Sequence, residues 1–312
     1  TTALLKALWR ATKARTSDGD WGESDNSLCI LFSGGVDSTL LAAIAHYCLP
    51  EKVSIHLCNV CFDNGNSPDR VSALDALNEL KHMAPQRDWR FLNVNASLDS
   101  VEDGKTAQLI TELIAPNSTY MDYNIAAALL LASSRSGTKS RVFLLGSGAD
   151  EQCAGYGRHR ARFAEGGWVQ LEEEIGMEVR RLHHWNLSRD DRVISNCGKE
   201  VRTPFLDERV MAMILGLPMR LVFDLTLARG YGDKLILRNC AERLGVCNAA
   251  RRSKRAIQFG CNIAKQANVR YFGSNKKANH ESAGHVGLGG NHTFYKNDSS
   301  QREAFQPPPP KE

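Results

Sequence analysis

A strand, a glycine turn and a helix follow one another at residues 28–45, and this order constrains the fold more than any other stretch. Residues 28–32 (LCILF) are apolar, residues 33–38 read SGGVDS, and residues 39–45 (TLLAAIA) have the composition of a helix. Adjacent glycines let a ligand approach the backbone, while the helix directs unpaired N–H groups and its positive end at the turn. Asp37 would repel a phosphate unless a divalent cation lay between them. The stretch therefore predicts a magnesium–nucleotide site.

The alternative is a turn that serves packing alone, which the complete order of strand, glycines, hydroxyls, acid and helix disfavours. The spacing does not fit a Walker A loop, because Val36 and Asp37 stand where that loop needs its lysine. It does not fit the dinucleotide fingerprint either. Residues 33–38 resemble the pyrophosphate-binding loop (PP-loop) of the ATP pyrophosphatase family, whose members cleave ATP between its α and β phosphates and adenylate a substrate.

The remaining pattern up to residue 150 alternates strands and helices. Strands are predicted near residues 28–32, 53–60, 91–94 and 141–145, and helices near 3–14, 99–114 and 122–134, with a further helix opened by Ser67 and Pro68. This alternation predicts an α/β fold with a parallel sheet and a ligand site at the carboxyl ends of the strands. We expect residues 1–150 to form the nucleotide-binding part.

After residue 150 the pattern changes to helices without obvious strands. Candidate helices span residues 169–186, 207–215 and 233–244, so we expect residues 151–268 to be an all-helical substrate region of the same domain. Residues 269–312 are rich in Gly, Asn, His and Ser and finish with four prolines near the end, which predicts a disordered tail.

Composition excludes several classes of protein. The 312 residues are 42% hydrophobic and 24% charged, which suits a globular chain with a large core. A net charge of +4 is too small to indicate nucleic-acid binding, and no apolar run is long enough to cross a bilayer. The nine cysteines are odd in number and scattered, which favours reduced thiols and a cytoplasmic location.

A second glycine turn ends the fourth predicted strand. Residues 145–151 read LGSGADE and deliver two consecutive acids, Asp150 and Glu151. If the two strands are neighbours, Asp150 can face Asp37 across the phosphates, and two carboxylates suit a magnesium ion on pyrophosphate. The alternative is a turn with solvated acids.

This second turn and three later segments resemble the asparagine synthetase branch of the ATP pyrophosphatase family. The segments are residues 145–156, 189–192 (RDDR), 198–207 (GKEVRTPFLD) and 254–260 (KRAIQFG). The likeness covers about residues 25–265 in order. It implies the adenine nucleotide alpha-hydrolase-like fold, with ATP and Mg²⁺ as cofactors and aspartate as substrate.

The resemblance also implies a role for each matching residue. Pyrophosphate and magnesium would be held by Ser33, Gly34, Gly35, Asp37 and Ser38, with Asp150 as the second metal carboxylate. Adenosine would be lined by Phe32, Val60, Leu145 and Gly146. The aspartate substrate would lie near Glu151, Arg189 and Asp191, where an arginine suits a carboxylate. Lys254 would reach the α-phosphate, although its basic segment, residues 251–255 (RRSKR), also fits a solvated face or a nucleic-acid contact.

Family chemistry adenylates the aspartate side chain to β-aspartyl-AMP, which ammonia then converts to asparagine. This reaction needs positioning and cations more than a protein nucleophile. The family carries a glutamate between the glycines of the second turn, where this chain has Ser147. Loss of a general base costs on the order of 10² to 10⁴ in rate unless another group substitutes, and Glu151 is the nearest candidate. A synthetase-like protein that binds ATP without making asparagine is therefore the second hypothesis.

Two further expectations concern partners. In the family, an N-terminal glutaminase domain supplies ammonia from glutamine. Nothing before the PP-loop is long enough to be that domain, so we expect it to be missing from this chain, with ammonia or glutamine as the nitrogen source. Cys58 and Cys61 form a Cys-x-x-Cys pair that could indicate a tRNA thiolase, but a lone pair is more typical of packed, inert thiols.

Overall fold

A five-stranded parallel sheet organises the protein in the computed structural model, which describes residues 1–16 and 26–272. The strands are β1 (Ser27–Leu31), β2 (Ser54–Cys61), β3 (Trp89–Asn95), β4 (Val142–Leu144) and β5 (Glu200–Arg202), in the spatial order β3-β2-β1-β4-β5. Every neighbouring pair is parallel. All eight residues of β2 are buried, as expected for a parallel strand that helices cover on both faces. The predicted α/β fold with a parallel sheet is confirmed.

Helices connect and cover the strands. The first group comprises α1 (Thr2–Ala14), α2 (Val36–Cys48), α3 (Pro68–Met83), α4 (Asp99–Glu102), α5 (Gly104–Ile114), α6 (Tyr120–Arg135) and α7 (Ala149–Gln152). The second comprises α8 (Gly157–Leu182), a π-helix (His183–Leu187), α9 (Ser188–Ser195), a 3₁₀ helix (Pro204–Leu206), α10 (Glu208–Leu215), α11 (Met219–Val222), α12 (Leu235–Arg243), α13 (Cys247–Arg251), α14 (Ile257–Gly260) and α15 (Ile263–Phe272). Helix α3 begins as predicted, because the Ser67 side chain accepts the Arg70 N–H and Pro68 occupies the first turn.

Apolar clusters lie on the two faces of the sheet. In β1, Leu28 and Ile30 belong to one cluster and Cys29 to the other, since alternate side chains of a strand point to opposite faces. Helices α1, α2 and α12 contribute to the first cluster, and α5, α6 and α9 to the second. The two-sided core leaves the carboxyl ends of the strands as the place for polar chemistry.

Strand β5 departs from the expectation of an all-helical region after residue 150. It pairs in parallel with β4, with Val201 opposite Phe143. It has only three residues and charged ends, Glu200 and Arg202, so it lacks the apolar run that identifies a strand in sequence. Long-range pairing with β4 decides its conformation.

The ends of the predicted segments differ modestly from the structure. Helix α15 runs to Phe272, so residues 269–272 belong to a helix and not to the predicted tail. The rest of that tail lies outside the described residues. Across the ranges 1–16 and 26–272, every helix is too short or too polar to traverse a lipid bilayer.

Candidate functional site

The turn after β1 has the backbone shape that a phosphate site requires. Gly34 has φ +74°, and a Cβ there would lie 2.4 Å from the backbone of Ser72, so only glycine fits. Gly35 precedes the first turn of α2 and donates its N–H to Ser33 Oγ at 3.3 Å. The Ser38 hydroxyl donates to the Gly35 carbonyl at 3.3 Å. The N-terminus of a 13-residue helix therefore meets two serine hydroxyls in one turn.

The second glycine turn packs directly on the first. Strands β1 and β4 are neighbours, so their carboxyl ends meet at the same edge of the sheet. A Cβ on Gly146 would lie 3.0 Å from the Asp37 Cβ, which shows how closely the turns approach. Gly148 has φ +93° and leads into α7, the short helix that carries Asp150 and Glu151.

A buried lysine joins the two acids. Lys234 Nζ lies 2.5 Å from Asp37 Oδ2 and 2.7 Å from Asp150 Oδ1, and the residue is only 1% exposed. Lys254 Nζ lies 2.5 Å from Asp150 Oδ2. We call Asp37, Lys234, Asp150 and Lys254 the lysine-bridged cluster. Its four charges balance, as buried charges must to be tolerated.

The electrostatics of this cluster keep Asp150 ionised. Burial opposes its charge, but the ammonium groups of Lys234 and Lys254 hold the pKa of Asp150 well below its usual range. Burial raises the pKa of Asp37, against the effect of Lys234. Although burial acts in the opposite direction, the two carboxylates raise the pKa of Lys234, so it stays protonated.

The acids of the cluster fit a magnesium ion. Asp37 Oδ1 is buried and accepts no hydrogen bond from the described residues, so one carboxylate oxygen is available as a ligand. No group of three or more His, Cys, Asp or Glu side chains within the described ranges could hold a metal alone. Magnesium commonly takes one or two carboxylates and completes its shell with phosphates and water. Asp37 and Asp150 could hold it in that way.

Sequence reasoning missed Lys234, although it predicted the other members of the cluster. The candidate helix at residues 233–244 predicts Lys234 in a first helical turn, whereas its φ is +55° and it precedes α12. Its backbone N–H donates to the Cys153 carbonyl at 2.9 Å, which fixes it beside the second turn. The available signal was a lysine after two closely spaced glycines, Gly230 and Gly232, before a helix.

Glu151 lies next to the cluster in a buried polar pocket. Its Oε1 accepts hydrogen bonds from the Tyr156 hydroxyl at 2.5 Å and the Asn186 amide at 2.8 Å, while Oε2 is buried without a described partner. Burial, and then the neighbouring Asp150, raise the pKa of Glu151. Asn186 belongs to the π-helix, a local insertion often found at functional sites. Ser147 is half-buried in the same turn.

The predicted adenosine residues lie at the ends of three neighbouring strands. Phe32, Val60 and Leu145 are buried, at 2%, 8% and 4% exposure, directly after or at the end of β1, β2 and β4. Phe32 packs in one apolar cluster, and Val60 and Leu145 pack in the other. Their contact with adenosine stays a prediction.

Arg189 and Asp191 are placed differently from the cluster. The Arg189 guanidinium donates to Asp122 Oδ1 at 2.8 Å and to Asp190 Oδ1 at 2.8 and 2.9 Å, and all three side chains are buried. Asp191 is exposed and borders a separate open cavity of about 350 Å³ beside His183. No described contact joins either residue to the lysine-bridged cluster, and their substrate roles stay predictions.

Comparison with known proteins identifies the family of the chain. The family model described as asparagine synthase matches residues 22–168 and 163–271. The chain belongs to the asparagine synthase family. The resemblance inferred from the two turns and the later segments is thereby confirmed.

Several relatives in the asparagine synthase family carry informative names. Asparagine synthetase domain-containing protein 1 of Mus musculus is 40% identical over 292 residues, covering 78% of this chain and 46% of that protein. The Homo sapiens protein of the same name is 36% identical over 304 residues, covering 80% and 47%. Asparagine synthetase [glutamine-hydrolyzing] of Bos taurus is 30% identical over 225 residues, covering 70% and 36%. The chain spans about half the length of the first two.

Proposed function

We propose that this asparagine synthase-family chain is an ATP-dependent amide ligase, which adenylates the side-chain carboxylate of aspartate and transfers the acyl group to ammonia. The products would be asparagine, AMP and pyrophosphate. The observation that carries the proposal is the meeting of two acidic turns on one buried lysine, Lys234. Two carboxylates that follow neighbouring strands, together with the two ammonium groups that contact them, suit a magnesium-bound triphosphate better than an uncharged ligand.

In this proposal the first turn holds the β and γ phosphates. The hydroxyls of Ser33 and Ser38 and the N-terminal N–H groups of α2 would donate to them. Asp37 and Asp150 would hold Mg²⁺, which neutralises charge on the leaving pyrophosphate. Lys254 would stabilise the negative charge that develops at the α-phosphorus while the aspartate oxygen forms its bond and the bond to pyrophosphate breaks.

Amidation needs a proton acceptor. Ammonia attacks the acyl carbon of β-aspartyl-AMP, a C–N bond forms, the C–O bond to AMP breaks, and the nitrogen must release a proton. Glu151 would accept that proton, and the role is supported by its Oε2, which is buried and accepts no hydrogen bond from the described residues. Glu151 would thus take over the role of the family glutamate, whose position is occupied by Ser147 in this chain.

A second candidate function is ATP binding without asparagine synthesis, favoured by Ser147. Only the amide ligase needs a nitrogen donor. The donor would be free ammonia, or ammonia released from glutamine by a domain outside this chain. A tRNA thiolase receives less support, since Cys58 and Cys61 are both buried and Cys58 donates its thiol to the Ala132 carbonyl.

One assay separates these functions. The protein is incubated with ATP, Mg²⁺, aspartate and ammonium chloride, with and without tRNA, and AMP, pyrophosphate, ADP and asparagine are quantified. ATP binding is measured in parallel by calorimetric titration. The ligase should give AMP, pyrophosphate and asparagine in equal amounts, only when aspartate is present. ATP binding without AMP would identify the second candidate, AMP formation that requires tRNA would identify a thiolase, and aspartate-independent ADP would refute all three.

A further inference from the structure

A cationic cavity opens beside Lys254. It has a volume of about 130 Å³ and is lined by Arg160, Arg229 and Lys254, together with Gly157 and Asp233. This volume is roughly ten times what a single water requires. We call it the arginine-lined cavity. Because Lys254 Nζ also lies 2.5 Å from Asp150 Oδ2, the cavity adjoins the lysine-bridged cluster directly.

The cations of the arginine-lined cavity have unused hydrogen-bonding capacity. Arg160 Nη1 donates to the carbonyls of Leu225 and Leu227 at 2.7 and 2.8 Å, but its Nη2 is buried with no acceptor among the described residues. Arg229 is exposed, and no carboxylate within the described ranges pairs with it. Guanidinium groups with free donors suit the oxygens of a phosphate.

The acid in the wall offsets only part of this charge. Asp233 pairs with Arg238 and accepts the Gly230 N–H at 2.8 Å, while Arg160 Nη2 lies 3.8 Å from it, beyond hydrogen-bond distance. Gly157 begins α8 at the same wall, so the positive end of that helix adds to the field. Arg229 Nη2 lies 3.4 Å from where a Cβ on Gly157 would stand.

We propose that the arginine-lined cavity receives the pyrophosphate that leaves ATP, holding it between Arg160, Arg229 and Lys254 before release. The inference rests on the proposed function and adds a product site to it. Aspartate is the other anion of the proposed reaction that carries no nucleoside. Its ammonium group would need a carboxylate partner, and Asp233 is already engaged by Arg238, so the cavity suits a pure polyanion better than a zwitterion.

The test is a calorimetric titration of the whole chain with inorganic pyrophosphate in the presence of Mg²⁺. Arg229→Gln should weaken pyrophosphate binding about tenfold, as expected for one charge-assisted contact, and leave AMP binding unchanged. Arg229→Lys should retain most of the affinity. The matched control is Arg10→Gln, which removes an exposed charge from α1 and should change nothing.

Three results would overturn the inference. If Arg229→Gln weakens aspartate binding and not pyrophosphate binding, the cavity belongs to the amino-acid substrate. If Arg229→Gln leaves pyrophosphate affinity unchanged while Asp37→Ala abolishes magnesium–ATP binding, the proposed function stands without this product site. If the wild-type protein binds neither ATP nor pyrophosphate, the proposed function fails together with it.

Discussion

Arg189 and Lys234 each lie between two carboxylates, and each is almost fully buried. Burial opposes the charge of both cations, yet the partner carboxylates raise the pKa of each. They differ in what remains unpaired. In the Arg189 cluster (Arg189, Asp122 and Asp190) no fully buried polar atom lacks a hydrogen-bond partner, whereas Asp37 Oδ1 beside Lys234 is fully buried and has none among the described residues.

This difference separates a structural cluster from a candidate site better than burial or pKa does. The Arg189 cluster ties α6 to α9, and Asp122 also accepts the Thr119 hydroxyl at 2.5 Å. The lysine-bridged cluster lies at the carboxyl ends of two strands, has an available carboxylate oxygen, and adjoins a cationic cavity. Structural ion pairs also perturb pKa values, so open coordination is the more specific sign of function.

Arg189→Met should produce the largest change in the free energy of unfolding. It leaves Asp122 and Asp190 buried without their cation, which costs about 3–5 kcal/mol. Urea denaturation measures the loss, and Arg189→Lys, which keeps the charge but not the planar fork, should lose less. Magnesium–ATP affinity of the folded variant should not change. Unaltered stability with a raised KM for aspartate would instead support the substrate role that the sequence predicted.

Asp37→Asn should show the opposite pattern. It keeps the shape of the side chain but removes a carboxylate ligand, so magnesium–ATP affinity should fall about 10³-fold, equivalent to ~4 kcal/mol. The unfolding free energy should fall less than in Arg189→Met, because Lys234 keeps Asp150 as a partner, whereas Arg189→Met leaves two buried carboxylates without their cation. Isothermal titration and urea denaturation measure the two quantities. The matched control is Asp190→Asn, which likewise leaves Arg189 with one carboxylate, Asp122, and should keep ATP affinity. An equal loss of ATP affinity in both variants would remove the distinction between the clusters.

The sequence identified the elements of the site whose signals are local. The strand, glycine turn and helix at residues 27–48 are continuous in the chain, and Asp37 and Asp150 come together because parallel strands end at one edge. The pairing of those two acids therefore follows from the sequence alone.

The parts that were missed depend on contacts between distant residues. Lys234 reaches the cluster because its backbone N–H bonds to the Cys153 carbonyl, 81 positions earlier. Residues 200–202 form strand β5 because their backbone pairs with the edge of β4. The pairing of Arg189 with Asp122, 67 positions apart, is equally invisible in the motif that contains Arg189.

Asp69 is a third buried acid to compare with those of the Arg189 cluster and the lysine-bridged cluster. Unlike Asp150, it has a raised pKa. Its carboxylate packs against Gly260, and burial raises its pKa to about 7 despite the charges of Arg255 and Lys254. Between pH 5 and 6.5 the folded protein therefore retains a proton that the unfolded chain has released, so stability falls as pH rises. The slope is ~1.4 kcal/mol per pH unit, or about 2 kcal/mol over this interval.

Denaturation at both pH values, compared between the wild type and Asp69→Asn, measures this contribution. The asparagine variant cannot titrate, so its stability relative to the wild type should increase from pH 5 to pH 6.5. An equal change with pH in the two proteins would show that Asp69 is ionised throughout and that Lys254 and Arg255 outweigh its burial.

Substitution of Arg252 should have the smallest effect on ATP affinity. It tests whether the basic segment, residues 251–255, supports the first turn. Arg252 Nη1 donates to the Gly34 carbonyl at 2.6 Å, and its Nη2 pairs with Asp75, whose side chain is 53% exposed. Arg252→Met removes both contacts. Because an exposed ion pair contributes little free energy, the loss of ATP affinity should come from the hydrogen bond to the Gly34 carbonyl. Magnesium–ATP affinity should fall about fivefold, near 1 kcal/mol. Asp75→Asn, which removes only the ion pair, should stay within twofold by calorimetric titration. If both variants lose the same affinity, the exposed pair orients Arg252, and the first turn depends on the surface of α3 as well as on its own glycines.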